Sequence, residues 1–163
     1  MLSINCASVW KPLSPPGPGR NGCAGRSRTK RYPPKRVSRT ILFSDIRDYT
    51  SYAEAHSPEQ VVAMINDLMT VQVNAIRTRG GDIDKMIGDA VLALFSGPDA
   101  AGHAIDSAKA ILEHVGAGNY PRRVGIGIYT GEVVSGAIGP ADRRDFTMIG
   151  DSVNIAARLC SAA

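Results

Sequence analysis

The sequence predicts an α+β domain with a ferredoxin-like βαββαβ core, in which helices cover one face of a largely antiparallel sheet. Two segments carry apolar residues at helical spacing, and they alternate with short apolar runs typical of strands. The resulting order is strand, helix, strand, strand, helix, strand, followed by a further strand and a closing helix. Residues 41–163 suffice for one domain with one core.

The first two elements have clear local signals. The apolar run Arg39–Ile46 is typical of a buried strand. Ser57 then offers an N-cap, Pro58 suits the first helical position, and Gln60 completes a capping box. The helix that follows is expected to end at Gly80-Gly81.

The later elements follow from apolar runs separated by turn residues. The segment Asp82–Phe95 divides at Gly88-Asp89 and predicts a hairpin. The remaining predictions are a helix over Pro98–Gly116, strands over Arg122–Tyr129 and Glu132–Ile138 separated by Thr130-Gly131, and a helix over Asp151–Leu159.

The charge of the chain is unevenly distributed. The formal net charge is +4, yet the first forty residues hold nine basic residues, no acid and six of the ten prolines. We therefore expect residues 1–38 to form a disordered leader rich in Pro, Gly and Arg, followed by a net acidic domain over 39–163. Nine positive charges could contact nucleic acid or an anionic membrane, but a tract without interleaved aromatic residues more often stays solvated, so we expect no specific nucleic-acid partner.

Hydropathy gives no sign of a membrane protein. No apolar run approaches the roughly 20 residues that span a bilayer, and the N-terminus does not resemble a signal peptide. We expect a cytoplasmic protein without a membrane span.

Two acidic residues sit where neighbouring strands meet. Asp45 ends the first strand, and Asp89 lies at the tip of the hairpin. In a ferredoxin-like sheet these strands lie side by side, so the two carboxylates would meet and offer the oxygen ligands that Mg²⁺ or Mn²⁺ prefers. The alternative is that both are ordinary turn residues.

Four segments in order resemble class III nucleotidyl cyclase catalytic domains. They are FSDIRDYT (43–50), GGDIDKMIGDAVLALF (80–95), RVGIGIYTGEVVSGAIG (123–139) and FTMIGDSVNIAARL (146–159). The resemblance extends over nearly all of residues 40–160. It implies that residues 39–163 are a cyclase domain, which joins the 3′-hydroxyl of a nucleoside triphosphate to its own α-phosphate and releases pyrophosphate.

The resemblance implies a metal site. Asp45 and Asp89 match the acids that hold two divalent cations, Mg²⁺ or Mn²⁺, with the Ile46 carbonyl in reach. The segment from Phe43 through Ile46 to Thr50 matches the turn whose backbone amides approach the phosphates. The alternative for Arg47 and Asp48 within it is plain exposure to solvent.

The resemblance also implies a nucleotide site. Lys85 matches the residue that recognises the base, with Thr147 as its partner, and a Lys donor suits N1 of adenine. Asn154 and Arg158 match the catalytic pair that contacts the ribose and the charge developing at the α-phosphate; their spacing of four places them on one helix face. Without the resemblance, Lys85 would be a solvated strand lysine and the last helix an ordinary surface helix.

In the family the acids come from one chain, and the lysine, threonine, asparagine and arginine come from its partner. The resemblance therefore implies an adenylate cyclase that binds ATP as a homodimer with shared active sites. Related domains continue for several tens of residues beyond the position of Ala163, so we expect this chain to lack their usual C-terminal part. The alternative is a weak or inactive cyclase-like fragment that acts as a dimerisation or regulatory module.

Overall fold

The computed structural model of the chain describes residues 33–139 and 145–163. The elements of these residues are, in order, β1 (Lys35–Ile46), α1 (Tyr49–Ala55), α2 (Pro58–Thr78), β2 (Asp82–Ile87), β3 (Ala90–Phe95), α3 (Ala100–Ala117), β4 (Val124–Ile138), β5 (Asp145–Ile149) and α4 (Asp151–Ala162). The strands form a five-stranded sheet in the order β2-β3-β1-β4-β5, with every neighbouring pair antiparallel. The predicted α+β fold with an antiparallel sheet is confirmed.

Strand β1 lies at the centre of the sheet and separates two apolar clusters. Successive side chains of a strand point to opposite faces. Leu42 and Ile46 face α2 and α3, whereas Ile41 and Phe43 belong to the cluster on the other face, which includes Ala156 of α4. By the same alternation Asp45 lies on the α4 face.

The helices cover both faces of the sheet unequally. The two helices of the βαββαβ core, α2 and α3, pack together on one face and bury Leu68, Ile76 and Ile111 completely. Helix α4 follows that core and packs on the opposite face against β4 and β1. The larger hydrophobic cluster therefore lies beneath α2 and α3.

The predicted limits of α2 agree with the structure. Ser57 caps the helix by accepting from the Gln60 amide, and the Gln60 side chain accepts from the Ser57 amide at 3.0 Å. After the helix ends, Gly80 adopts a φ of 75°, a left-handed conformation that favours glycine.

Two predicted strand limits were wrong. Strand β1 begins at Lys35 rather than Arg39, because residues 35–38 pair with β4 although their sequence lacks apolar periodicity. The predicted break at Thr130-Gly131 is absent, and β4 runs continuously through both residues. Gly131 leaves room for α4 instead of forming a turn, since a Cβ there would overlap the Ser152 hydroxyl.

Two short elements, α1 and β5, were not predicted. Helix α1 has seven residues, about two turns, which is too short for a clear helical period, and the Asp48 side chain at its N-cap makes no capping hydrogen bond. Strand β5 has five residues, too few for a clear period.

Of the predicted leader, residues 1–32 lie outside the described part of the chain, while residues 35–38 belong to β1.

Within residues 33–139 and 145–163, no helix combines the length and the apolar character that crossing a bilayer requires.

A buried hydrogen bond connects the sheet to α2 next to Asp45. The Ser44 hydroxyl donates to the Gln72 side-chain oxygen at 2.5 Å, and the Gln72 amide donates to the Leu68 carbonyl at 3.2 Å. Both polar side chains are completely buried. They satisfy each other in the apolar layer, which fixes β1 against α2.

We expect Gln72→Leu to lower the free energy of unfolding by about 1–3 kcal/mol, because it removes the acceptor of the buried Ser44 hydroxyl. Denaturant unfolding measures this change. The matched double variant Ser44→Ala/Gln72→Leu, which removes both partners, should recover part of the loss. Equal stability of Gln72→Leu and the parent would contradict this role of the pair.

Candidate active site

The structure brings Asp45 and Asp89 together. Strands β1 and β3 pair as far as Ser44 opposite Val91, and just beyond this pair lie Asp45 and the β2–β3 turn that holds Asp89. The Asp89 carboxyl interacts with that of Asp45 and accepts a hydrogen bond from the Ile46 amide. The sheet register thus produces the predicted acidic pair.

The environment of the pair favours one shared proton. Partial burial, the hydrogen bond with Asp45 and the charge of Asp45 together raise the pKa of Asp89 to about 6 from 3.8. Two adjacent carboxylates repel each other when both are ionised, so the second ionisation is delayed. Without a cation, the pair therefore retains a proton at pH values well above the ordinary pKa of an Asp side chain.

This arrangement fits a divalent cation. A cation between the two carboxylates would replace the shared proton and remove the repulsion. In the described ranges 33–139 and 145–163, no group of three or more His, Cys, Asp or Glu side chains lies close enough to hold a metal. The remaining ligands of a hard cation would then be backbone oxygens, water or phosphate, as is usual for Mg²⁺.

The turn after Asp45 is held by backbone contacts. The Arg47 amide donates to the Arg123 carbonyl at 2.8 Å, so this amide is not available to a phosphate. Asp48 has a φ of 54°, in the left-handed region that Asp adopts more readily than most residues. Thr50 is exposed in α1, whereas the Phe43 side chain packs in the cluster beneath α4 and leaves only its backbone to a ligand.

Lys85 and Thr147 lie on opposite edge strands of the sheet. Lys85 is half-buried in β2, after a register shift that begins at Ile83, and Thr147 is half-buried in β5. Strand pairing alone therefore does not bring the two residues together, and their shared role in base recognition stays a prediction.

Asn154 and Arg158 are both exposed on α4. The buried side of this helix consists of Ser152, Ala156 and Cys160, which face the sheet. Asn154 and Arg158 are therefore turned away from the sheet to which Asp45 of their own chain belongs.

Arg47 makes a long-range contact that its sequence context does not predict. Its side chain is half-buried rather than freely exposed, and the guanidinium donates to the carbonyls of Cys160 and Ala163 at the end of α4. No local pattern identifies this contact, because its partners are backbone atoms more than a hundred residues away in sequence.

The pair gives a pH-dependent contribution to stability. Because the pKa of Asp89 is higher in the folded state than in the unfolded chain, the folded state takes up the proton first. In the presence of a metal chelator, we expect the free energy of unfolding of the parent, relative to that of Asp89→Asn, to rise as the pH falls from 7 to 5. Denaturant unfolding at both pH values measures this difference. Asp106→Asn, which changes an exposed acid on α3, is the matched control. Parallel pH profiles of the parent and Asp89→Asn would contradict the shared proton.

Known proteins similar to this chain include nucleotidyl cyclases. A family model described as Adenylate and Guanylate cyclase catalytic domain matches residues 32–163. An adenylate cyclase of Anabaena cylindrica is 44% identical over 131 residues, which cover 74% of this chain and 26% of that protein. The chain spans about a quarter or less of the length of the curated relatives that it matches.

Solved structures with the same fold include both adenylyl cyclases and guanylyl cyclases. The adenylyl cyclase CyaB from P. aeruginosa superposes with a TM-score of 0.72 at 30% identity, covering 80% of this chain and 74% of that one. The guanylyl cyclase Cya2 gives a TM-score of 0.66 at 36% identity, covering 78% and 71%. With its acidic pair in place and the family match running from residue 32 to residue 163, the chain belongs to the adenylate and guanylate cyclase catalytic domains.

Proposed function

We propose that the protein is an adenylate cyclase, which converts ATP to 3′,5′-cyclic AMP and pyrophosphate. The observation that carries this proposal is the acidic pair of Asp45 and Asp89 at the end of the central strand of a cyclase-family domain. The raised pKa of Asp89 reflects a concentration of negative charge that a cation would neutralise.

Asp45, Asp89 and the Ile46 carbonyl are the proposed ligands of two Mg²⁺ or Mn²⁺ ions. When bound, such ions supply charge that favours ionisation of the 3′-hydroxyl and balances the triphosphate. The protein would hold the two carboxylates close together, one on β1 and one on the β2–β3 turn, so that both contact the cations that bind the substrate. The turn from Phe43 to Thr50 is the proposed phosphate contact.

The remaining groups would come from a second chain. Asn154 and Arg158 are exposed and turned away from their own sheet, which supports their use in the site of a partner. A guanidinium at the α-phosphate would stabilise the charge that develops there during the in-line attack. Asn154 would orient the ribose.

Exposed apolar side chains near these elements support assembly into a homodimer. Met86 is 55% exposed and Ile87 53% exposed beside the acidic turn, Leu159 is 45% exposed on α4, and Ile149 is 51% exposed on β5. Large apolar side chains in such positions are typical of surfaces that another chain covers. A head-to-tail homodimer would build two equivalent sites from these elements.

ATP is the proposed substrate because of Lys85. An ammonium group donates to N1 of adenine, whereas guanine presents a ring N–H at the same position. Thr147 carries a hydroxyl that can donate or accept, so it tolerates the exocyclic amino group of adenine. The 44% identical relative is named an adenylate cyclase, which agrees with this choice.

We expect the parent chain with Mn²⁺ to form cyclic AMP from ATP and to use GTP much less. Asp45→Ala and Arg158→Ala should each lose activity by about 100-fold or more, since each removes one half of every site. Mixing the two variants in equal amounts should restore about a quarter of the parent activity, because half of randomly formed dimers carry one intact site. Chromatographic product analysis measures each activity.

Each part of the proposal has its own contrary result. Comparable turnover of GTP would refute the role of Lys85. No recovery in a mixture shown to contain heterodimers would refute the shared site. No product at any protein concentration would refute the cyclase activity and favour a dimerisation or regulatory module. Asp106→Ala, on the exposed face of α3, is the matched control for removal of an acid.

A further inference from the structure

Arg47 connects the turn beside the acidic pair to the end of α4. The residue follows Asp45 by two positions, and its guanidinium donates to the carbonyl of Cys160 and to that of Ala163, the latter at 2.9 Å. Cys160 lies in the last turn of α4, where its carbonyl also accepts from the Ala163 amide at 3.2 Å, and Ala163 follows the helix as its C-cap residue. One side chain thus contacts two backbone oxygens at this end of α4.

The opposite strand is shaped to admit this side chain. Gly125 lies opposite Asp45 in the β1–β4 ladder, and a Cβ at this glycine would overlap the Arg47 guanidinium. The Gly125 carbonyl accepts from the Cys160 thiol at 3.2 Å. Gly125 therefore provides space for the Arg47 guanidinium and an acceptor for the last turn of α4.

A second glycine brings α4 down onto the sheet. A Cβ at Gly127 would overlap the α4 backbone at Ala156 and Cys160. The helix consequently lies directly on β4, and its last turn comes within reach of the Arg47 guanidinium. A positive charge at this end of a helix is favoured by the helix dipole.

The charges around Cys160 agree with this packing. Burial raises the pKa of the Cys160 thiol, the charge of Arg47 lowers it, and the charge of Asp45 raises it. Asp45, Arg47 and the end of α4 therefore lie in one neighbourhood on the same face of the sheet.

We propose that Arg47 is a positioning residue that holds α4, and with it Arg158, in the orientation required by the active site of the partner chain. This inference rests on the proposed function, in which each chain gives its acids to one site and its α4 to the other. Since Arg47 contacts α4 from the turn beside the acids, it connects the two sites of the homodimer through each subunit. Removal of its guanidinium should therefore affect the site that uses the α4 of the altered chain.

The heterodimer of Asp45→Ala and Arg158→Ala chains, isolated with two different tags, tests this directly. Its one intact site takes α4 from the Asp45→Ala chain and the acids from the Arg158→Ala chain. We expect Arg47→Ala in the α4-donating chain to lower kcat by about tenfold with little change in KM for ATP, because Arg158 acts on charge that develops in the transition state. Arg47→Ala in the acid-donating chain should lower kcat by a factor at least severalfold smaller than this.

The two placements contain the same substitutions in total, and denaturant unfolding of both heterodimers checks that a difference in kcat is not a difference in stability. An equal loss of kcat in the two placements, or a larger loss when Arg47→Ala is in the acid-donating chain, would overturn the positioning role. Arg47→Lys in the α4-donating chain should give an intermediate kcat, since an ammonium keeps the charge but lacks the fork of donors.

A measurement without turnover separates this inference from the proposed function. In the otherwise unchanged chain, Arg47→Ala should speed amide hydrogen exchange in residues 157–163 while leaving that of α2 unaltered. Unchanged exchange in residues 157–163 would overturn the contact between Arg47 and α4. An inactive parent heterodimer, in contrast, would refute the shared cyclase site and with it the catalytic part of the inference.

Discussion

Repulsion between two neighbouring carboxylates is the interaction on which the chemistry of this domain depends. Asp45 ends the central strand β1, and the β2–β3 turn places Asp89 against it. Without a bound cation, the two acids retain a proton at a higher pH than an ordinary Asp, as the pKa of about 6 for Asp89 indicates. The fold thus keeps together two like charges that would separate in a flexible chain, and a divalent cation would relieve this tension.

The central strand also divides the domain into a structural face and a functional face. Leu42, Ser44 and Ile46 point toward α2 and α3, where the larger hydrophobic cluster and the Ser44–Gln72 hydrogen bond fix the strand. Residues Phe43 and Asp45 point to the other face, which α4 covers. The acids are therefore held by a rigid layer behind them, while the helix that carries Arg158 rests on the layer in front.

The sequence predicted the features that local patterns determine. The capping box at Ser57 gave the start of α2, and the Gly88-Asp89 turn gave the β2–β3 hairpin. The meeting of Asp45 and Asp89 followed from the order of the elements, since antiparallel neighbours place strand ends side by side. The expected roles of Lys85, Asn154 and Arg158 in nucleotide binding and catalysis came from the resemblance to the cyclase family, because the spacing of these residues does not predict them.

What the sequence did not reveal depends on contacts between distant segments. Gly131 follows the pattern of a turn in the sequence, yet in the structure it allows the close approach of Ser152 to β4. Residues 35–38 join β1 through backbone pairing with β4, which leaves no apolar pattern. Solvent exposure was the stated alternative for Arg47, whose partners are instead main-chain oxygens of Cys160 and Ala163 at the end of α4. Local signals do not include such long-range partners.

Binding of 3′-deoxy-ATP, which lacks the attacking hydroxyl, tests the central claim most directly. Calorimetry with and without Mn²⁺ measures how strongly the cation and the nucleotide support each other on the parent chain and on Asp89→Asn. The account predicts that Mn²⁺ strengthens nucleotide binding to the parent by about tenfold or more and that Asp89→Asn loses most of this gain. An equal gain in both proteins would contradict a cation held by the acidic pair.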